Sequence, residues 1–178
     1  YRFYREKLLL DGIKPNAAHL KLAELEKAGK LSGVVTQNID GLHQAAGSKK
    51  VWELHGSVLR NYCTKCGRFF DADYIKENKD RDGIPRCNDC GSIIKPDVVL
   101  YEEPLNDDVV NGAIGALSNA DLLIIGGTSL SVYPAAGMVR FYKGSSIVLI
   151  NRDETQNDGI ATLIIHDSIG KVLSQIKV

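Results

Sequence analysis

The octapeptide Thr36-Gln37-Asn38-Ile39-Asp40-Gly41-Leu42-His43 decides how the rest of the chain is interpreted. The apolar pair Val34-Val35 leads into it, which predicts a buried strand that ends at Thr36 or Gln37. An amide, an acid, a glycine and a histidine follow at once, and open α/β sheets place ligand chemistry at such strand ends. A second histidine follows in Glu53-Leu54-His55-Gly56. We therefore expect a functional site around this strand end.

Strands and helices alternate along the rest of the chain. Two wholly apolar runs, 122–125 and 147–150, predict strands buried on both faces. A third run, 161–165, predicts a weaker strand, and a fourth, 95–101, which contains Pro96, predicts an edge strand. Helices are predicted over 2–10, 17–28 with Asn16 as N-cap, 106–117, after Pro134, and 168–176. This alternation predicts an α/β fold with a Rossmann-like, doubly wound, mostly parallel sheet.

The four cysteines of the chain form two C-x-x-C pairs, Cys63/Cys66 and Cys87/Cys90, that are 20 residues apart. That spacing is typical of a tetrahedral zinc site with four thiolates, and two disulfides or four free thiols are the alternatives. With all four positions filled by protein, the zinc would be structural, one per chain, with no site for a water nucleophile. The cysteines predict a small inserted zinc-ribbon domain, and we expect domain segments 1–58, 59–95 and 96–178.

The charge balance argues against binding to nucleic acid. The chain has 22 basic and 22 acidic residues, so its formal net charge is zero. The stretch 63–90 is also balanced, so it lacks the basic surface that nucleic-acid binding requires. No apolar run approaches the roughly 20 residues of a membrane span, and no signal peptide is visible at the first residues. These features predict a cytoplasmic protein without a nucleic-acid or membrane partner.

The octapeptide resembles the T-Q-N-I-D-x-L-H motif of the sirtuins, the NAD-dependent protein deacylases, whose second motif L-H-G is matched by Leu54-His55-Gly56. The resemblance extends to the four-cysteine module and to Gly127-Thr128-Ser129-Leu130 and Ile150-Asn151, which match the family's G-T-S-L and I-N. Two family segments, G-A-G-x-S and G-I-P-D-F-R, have no counterpart. In the family they precede the point where this sequence begins, so we expect the intact protein to contain them. Without the central strand that they include, two strand edges would be exposed inside the sheet.

The resemblance implies NAD as co-substrate and a set of residues around it. The implied cofactor-binding residues are Gln37, Asn38, Ile39, Asp40, Gly127, Thr128, Ser129, Asn151, Arg152, Asp153 and Ile169. Independently, a glycine after a buried strand lets backbone approach a ligand, and hydroxyls and free N–H groups there can hold phosphate or ribose oxygens. Asn151 could hydrogen-bond a ribose hydroxyl. A turn fixed by its own geometry is the alternative for both places.

The implied catalytic residues are His55, Asn38 and Asp40. Imidazole is the side chain suited to accepting a proton near neutral pH, although most single histidines are structural. In the family the histidine of L-H-G is the general base. An amide can hold the departing carboxamide or order a water, and a carboxylate can stabilise positive charge on the ribose. The alternative for Asn38 and Asp40 is a turn after the strand.

The implied reaction starts with attack of the acyl-lysine carbonyl oxygen on the anomeric carbon of NAD as nicotinamide leaves. His55 then deprotonates the ribose, and lysine and O-acyl-ADP-ribose are released. Val98 and Val99 match the strand that pairs with the acetylated protein or peptide substrate. The family's F-G-E is replaced by Tyr101-Glu102-Glu103, and the Y-x-x-R pattern of members that prefer acidic acyl groups is not met, which favours acetyl-lysine.

Other functions are compatible with parts of the sequence. The same glycosidic cleavage can feed ADP-ribosyl transfer to protein. A zinc-containing binding module without turnover would explain the missing glycine-rich segment, although the presence of Asn38, Asp40 and His55 argues against it. A nucleic-acid-binding zinc ribbon is disfavoured by the neutral charge.

Overall fold

The computed structural model describes residues 1–9 and 12–178. The chain forms two compact units, each built from several segments. Unit 1 consists of Tyr1–Lys14, Asn38–Gly41 and His55–Pro104, and unit 2 consists of Pro15–Gln37, Leu42–Leu54 and Leu105–Val178. The domain boundaries proposed from the sequence stay a prediction.

Five α-helices and eight strands are found in the described part of the chain. The helices are α1 (Ala17–Lys27), α2 (Leu42–Ala45), α3 (Ala72–Glu77), α4 (Asp107–Ser118) and α5 (Ile169–Leu173). The strands are β1 (Val34–Thr36), β2 (Val51–Glu53), β3 (Gly56–Cys63), β4 (Phe69–Asp71), β5 (Ile94–Val98), β6 (Leu122–Gly126), β7 (Ser146–Asn151) and β8 (Leu163–His166). Shorter helical pieces lie at Tyr4–Leu8, Ala135–Phe141 and Asp158–Ile160. None of the helices in the described ranges is long and apolar enough to cross a membrane.

Unit 2 contains the parallel strands. β1 and β2 form one parallel pair, and β6, β7 and β8 form a parallel sheet with β7 in the middle. Within the residues that the structure describes, the two sheets are not joined by strand pairing. With α1, α4 and α5 packed against these strands, the Rossmann-like α/β class predicted from the sequence is confirmed.

The burial of β7 explains its continuous apolar sequence. Leu149 and Ile150 are 0% and 1% exposed, because the strand is flanked by neighbours on both edges and covered by helices. Ile150 packs in one cluster with Ala18 of α1 and Leu173 of α5. At the edge of the same sheet, Leu163 of β8 is 52% exposed, which accounts for the weaker apolar pattern there.

The predicted N-cap of α1 is confirmed, and α4 begins with an asparagine cap that was not predicted. The Asn16 side chain accepts hydrogen bonds from the N–H groups of Ala18 and His19, and Asn106 caps α4 in the same way. Two helix predictions are wrong in extent or type. α5 ends at Leu173 rather than at 176, and the Ser168 side chain does not cap it. The segment after Pro134 is a 3₁₀ helix, not an α-helix.

Unit 1 is a small antiparallel sheet in the order β4-β3-β5, with the α3 helix packed against it. The helical turn Tyr4–Leu8 joins it, because the Tyr4 hydroxyl contacts the Val58 carbonyl and the Asn61 side chain, both buried in β3. Arg5 donates to the carbonyls of Ile75 and Gly83 at 2.9 and 2.6 Å. The first helix was predicted over 2–10; residues 10 and 11 lie outside the described residues.

Candidate functional site

A cleft of about 590 Å³ lies in unit 2, at the carboxyl ends of β6, β7 and β8. This is the edge at which parallel α/β sheets bind ligands, and the volume lies in the usual range of small-molecule sites. Its lining residues are Asn16, Ala17, Gly127, Ile150, Asn151, Arg152, Asp167, Ser168, Ile169, Gly170 and Lys171.

The sequence identified part of this lining. Gly127, Asn151, Arg152 and Ile169 were predicted as cofactor-binding residues and lie in the cleft wall. Thr128, Ser129 and Asp153 are not in the wall, although Thr128 follows Gly127 and Asp153 follows Arg152, both of which are. Their role in cofactor binding stays a prediction.

Sequence reasoning missed the contribution of α1, and of the α5 region it named only Ile169 among the residues of the wall. Asn16 and Ala17 come from the first turn of α1, and residues 167–171 come from the start of α5. The α1 signal was present, because an N-capped helix start is a favourable place for an anion. The approach of the two helices was not visible in the sequence: Gly170 comes so close to α1 that an added Cβ would lie 3.7 Å from the Ala17 Cβ.

Two glycines lie where β6 ends, and the second, Gly127, lines the cleft. At Gly126 an added Cβ would collide with the end of the Ile169 side chain, which would have to shift. Gly127 has a φ of +65°, in the left-handed region that favours glycine. Glycine at these positions therefore follows from close packing and from the turn.

The Asn151 side chain hydrogen-bonds the end of β7 to the loop that follows β6. Its Oδ1 accepts from the Thr128 N–H at 3.1 Å, and its Nδ2 donates to the Thr128 carbonyl at 2.9 Å. The side chain is only 8% exposed. The Asn151 amide keeps one lone pair on Oδ1 and one N–H on Nδ2 for a ligand. It therefore has a structural role, and its contact with ribose stays a prediction.

The loop after β6 is held by internal hydrogen bonds. The N–H groups of Gly127, Thr128 and Leu130 donate to the Ile150 carbonyl, to Asn151 and to the Thr128 hydroxyl. These three N–H groups are bonded within the protein, and the Ser129 and Ser131 hydroxyls contact each other at 2.7 Å. The loop thus has a preformed shape, and its contacts with phosphate or ribose stay a prediction.

The charges of the cleft are partly compensated. Asp167 accepts from Lys171 Nζ at 2.5 Å and from the Ser168 N–H at 2.7 Å. The Lys171 ammonium, followed by that N–H, holds the pKa of Asp167 below its usual range. Arg152 is exposed, and the described residues offer it no ion pair or hydrogen bond, so its guanidinium is available to an anionic ligand.

The predicted catalytic residues Asn38 and Asp40 lie in unit 1, whereas Gln37 ends a segment of unit 2. Asn38 Nδ2 donates to Asp40 Oδ2 at 3.2 Å. Ile39 is fixed between them, because its carbonyl accepts from the Val58 N–H at 2.9 Å and its side chain packs in the unit 1 core. The segment 38–40 therefore presents an amide and a carboxylate on an anchored backbone.

His55 is placed by the glycine that follows it. Gly56 has a φ of +76°, and an added Cβ would collide with the Asp97 carbonyl oxygen. The His55 carbonyl accepts from the Val99 N–H at 3.1 Å, which fixes the histidine backbone to the residue after β5. The glycine of Leu-His-Gly thus has a packing reason.

The predicted substrate-binding residues Val98 and Val99 lie at the end of β5, an edge strand of its sheet. Val98 pairs with Gly56, and the neighbouring Val99 N–H points to His55. Because strand polar groups alternate in direction, the Val98 N–H and C=O point away from β3. β5 then ends in a turn, in which the Glu103 N–H donates to the Leu100 carbonyl at 3.1 Å.

The four cysteine sulfurs lie within 4.8 Å of one another. Cys63 Sγ and Cys90 Sγ are 3.3 Å apart, and Cys66 Sγ and Cys87 Sγ are 3.7 Å apart, too far for disulfide bonds. Sulfurs at about 2.3 Å from a central zinc would be separated by about 3.8 Å, so the arrangement fits a four-thiolate tetrahedral ion. Within the described residues this is the group of side chains that can hold a metal.

Backbone N–H groups around the cysteine cluster lower the pKa of two of the thiols, whereas the pKa of a third is raised. The Ser92 N–H lowers the pKa of Cys90 to about 6, and the Cys66 N–H lowers that of Cys63. At Cys66 the Arg68 N–H also lowers the pKa, yet hydrogen bonding to neighbouring sulfurs and burial prevail and raise it to about 12. Four adjacent thiolates need a cation among them, which a metal supplies.

Comparisons with known proteins agree with this geometry. The sequence model described as "Sir2 family" matches residues 1–134. A Clostridium perfringens protein named NAD-dependent protein deacetylase is 60% identical over 177 residues, covering 99% of this chain and 71% of its own length. A Clostridium acetobutylicum protein of the same name is 56% identical over 176 residues, with coverage of 99% and 71%.

Solved structures give the same result. A structure described as "Sir2 bound to acetylated peptide" has a TM-score of 0.87 and 41% identity, covering 97% of this chain and 74% of its own. One described as "Sir2-p53 peptide-NAD+" has the same TM-score and identity, with coverage of 97% and 73%. The chain belongs to the Sir2, or sirtuin, family.

Proposed function

We propose that this protein is an NAD-dependent protein deacetylase, which transfers the acetyl group of an acetylated lysine to ADP-ribose and releases nicotinamide. The observation that carries the proposal is the cleft at the carboxyl ends of three parallel strands, with Gly127, Asn151 and Ile169 in its wall. The names of the relatives, which are up to 60% identical, add the reaction.

The cleft is the proposed site for the adenosine half of NAD. The glycine turn, the amide of Asn151 and the apolar Ile169 offer close backbone approach, polar contact and an apolar surface for a base. The N-terminus of α1 and the Arg152 guanidinium favour the negative charge of a pyrophosphate. We assign ribose contacts to Gln37 as well.

When bound, NAD supplies an anomeric carbon whose bond to nicotinamide breaks on attack by the acetyl-lysine oxygen. His55 then accepts the proton of a ribose hydroxyl, which frees that oxygen to take over the acetyl group. Asn38 hydrogen-bonds the carboxamide or orders a water, and Asp40 stabilises positive charge on the sugar. The hydrogen bond between Asn38 and Asp40 supports this division of roles, because it orients both groups in advance.

The substrate is an acetylated protein or peptide. The outward N–H of Val98, and its C=O through the lone pair that the bond from Lys95 Nζ leaves, can pair with a peptide strand, which gives affinity with little demand on the peptide sequence. We assign zinc, one per chain and structural, to Cys63, Cys66, Cys87 and Cys90, supported by the mutual distances of their sulfurs. A cytoplasmic location and the lack of a nucleic-acid partner stay predictions.

The test is mass spectrometry of an acetyl-lysine peptide incubated with the protein, with and without NAD. We expect deacetylated peptide only with NAD, and a loss of more than about 100-fold in kcat for His55→Ala, as is usual for removal of a general base. NAD binding by His55→Ala, measured by calorimetry, serves as the control for folding. NAD-independent deacetylation, or full activity of His55→Ala, would contradict the proposal.

A further inference from the structure

The open edge of β5 leaves few positions for a partner strand. Pro96 has no N–H, and the Leu100 N–H is already bonded to Glu103 Oε2 at 3.0 Å. Between these two, the N–H and C=O of Val98 face outward; the carbonyl accepts from Lys95 Nζ at 3.2 Å, and the N–H has no partner among the described residues. A peptide that adds to this edge is therefore held at Val98, with its continuation alongside the turn that follows.

The charges along this edge are paired with a single exception. Asp97 is paired with Arg60 at 2.9 Å, and Lys95 with Glu103 at 3.2 Å. Glu102 is exposed and has no hydrogen bond or ion pair to any residue that the structure describes. The edge thus presents one uncompensated carboxylate, four residues beyond Val98 along the chain.

The backbone at Glu102 is unfavourable for this residue type. Its φ is +71°, in the left-handed region where glycine is preferred, at the third position of the turn 100–103. Residues that keep a strained conformation cluster at ligand clamps, where the side chain is used. Tyr101, beside it, is 100% exposed, so the turn projects from unit 1 into solvent.

We propose that the Glu102 carboxylate selects acetylated substrates that carry lysine or arginine a few residues from the acetyl-lysine. The inference rests on the proposed deacetylase function and specifies the substrate class. The selection acts in binding, because the carboxylate faces a part of the peptide that does not react. It therefore changes KM and leaves kcat unaltered between peptides.

The test compares acetyl-lysine peptides of equal length that differ only in flanking residues: arginine, alanine or glutamate, placed on either side. For each peptide, kcat and KM are measured at low salt and at high salt, and Kd is measured by fluorescence anisotropy. The variants are Glu102→Gln, which removes the charge, and Glu102→Lys, which reverses it. Glu77→Gln is the matched control, because Glu77 is another exposed carboxylate of unit 1, on α3.

We expect the native protein to prefer the arginine peptide over the glutamate peptide by about 1.5- to 5-fold in KM, the range of an exposed ion pair. The ratio of the two KM values should approach one in Glu102→Gln, and the preference should reverse in Glu102→Lys and persist in Glu77→Gln. High salt should weaken the preference of the native protein. Equal KM values for all peptides, or a preference unchanged in both Glu102 variants, would overturn the inference. If no peptide is turned over, the deacetylase proposal fails, and the Kd ratios still decide whether Glu102 selects charge.

Discussion

Single residues explain why the sequence motifs have their particular glycines and amides. Gly56 follows His55 because the Asp97 carbonyl leaves no space for a Cβ and the backbone is left-handed. Asn151 ends β7, where its amide hydrogen-bonds both backbone polar groups of Thr128. These residues set the backbone on which the proposed chemistry depends, so a substitution there changes both stability and geometry.

Replacement of Glu102 by glycine measures how much the left-handed backbone at this position destabilises the protein. We expect Glu102→Gly to raise the free energy of unfolding by about 1 kcal/mol, because the strain of a left-handed L-residue exceeds the entropic cost of glycine. Urea denaturation measures the change. Glu77→Gly is the control: Glu77 is the last residue of α3 and is not left-handed, so we expect no gain in the free energy of unfolding. A destabilised Glu102→Gly would show that the glutamate conformation is not strained.

Whole elements carry the cleft and the metal module. The N-terminus of α1 lies in the cleft wall, whereas α4 has an N-cap of the same kind that does not line it. The two asparagine caps, Asn16 and Asn106, therefore form a matched pair. Comparing them separates the effect of a helix cap on stability from its effect on the ligand.

We expect Asn16→Ala and Asn106→Ala each to lower the free energy of unfolding by about 1 kcal/mol. Only Asn16→Ala should weaken NAD binding, by about two- to fivefold in Kd, because it alters the helix end that faces the cleft. Calorimetry with NAD and urea denaturation measure the two effects. Equal NAD affinity in both variants would argue against nucleotide binding at this end of α1.

The cysteine module should depend on its metal. The sheet β4-β3-β5 is small, and Cys63 and Cys87 lie in its core. Removal of the metal would leave four adjacent sulfurs in or beside this core with no cation to balance the charge of their thiolates. We expect one zinc per chain by elemental analysis, and a loss of strand signal and a lower Tm after treatment with a strong chelator. A metal-free protein with an unchanged Tm would contradict a structural metal.

The molecule as a whole should lose stability in acid. Arg86 holds the pKa of Asp80 below its usual range, the Leu100 N–H and Lys95 do so for Glu103, and Lys171 does so for Asp167. A lowered pKa in the folded state means that each group stabilises the fold above the ordinary carboxyl pKa of about 4. This contribution is lost as the pH falls through the folded-state pKa.

Thermal unfolding between pH 6 and pH 3 tests this expectation. We expect the Tm of the native protein to fall most steeply below about pH 4, and Asp80→Asn to show a shallower fall, because it lacks one of the three carboxyls. Asp73→Asn is a suitable control, since its carboxylate is 81% exposed and its contact with Lys76 is long, at 3.6 Å. Identical pH profiles for all three proteins would contradict a stabilising role of Asp80.

The sequence could predict what depends on local pattern. The strands β6 and β7, the cap at Asn16 and the cysteine cluster were all visible, because apolar runs, capping and metal spacing leave short-range signals, although Leu122 of β6 is 48% exposed and not buried as predicted. It could not predict that the Asn151 side chain would hydrogen-bond Thr128, or that the start of α1 would line the cleft beside the predicted Ile169. Those contacts join residues far apart in the chain, and only the packed structure brings them together.

The most direct measurement is the stoichiometry of nicotinamide release and peptide deacetylation in one reaction of the protein with NAD and an acetyl-lysine peptide. The account predicts one nicotinamide and one O-acetyl-ADP-ribose for each lysine freed, and no reaction when NAD is omitted. Nicotinamide release with ADP-ribose attached to protein and the acetyl group retained would instead indicate ADP-ribosyl transfer. That result, or deacetylation that yields free acetate without NAD, would contradict the central claim.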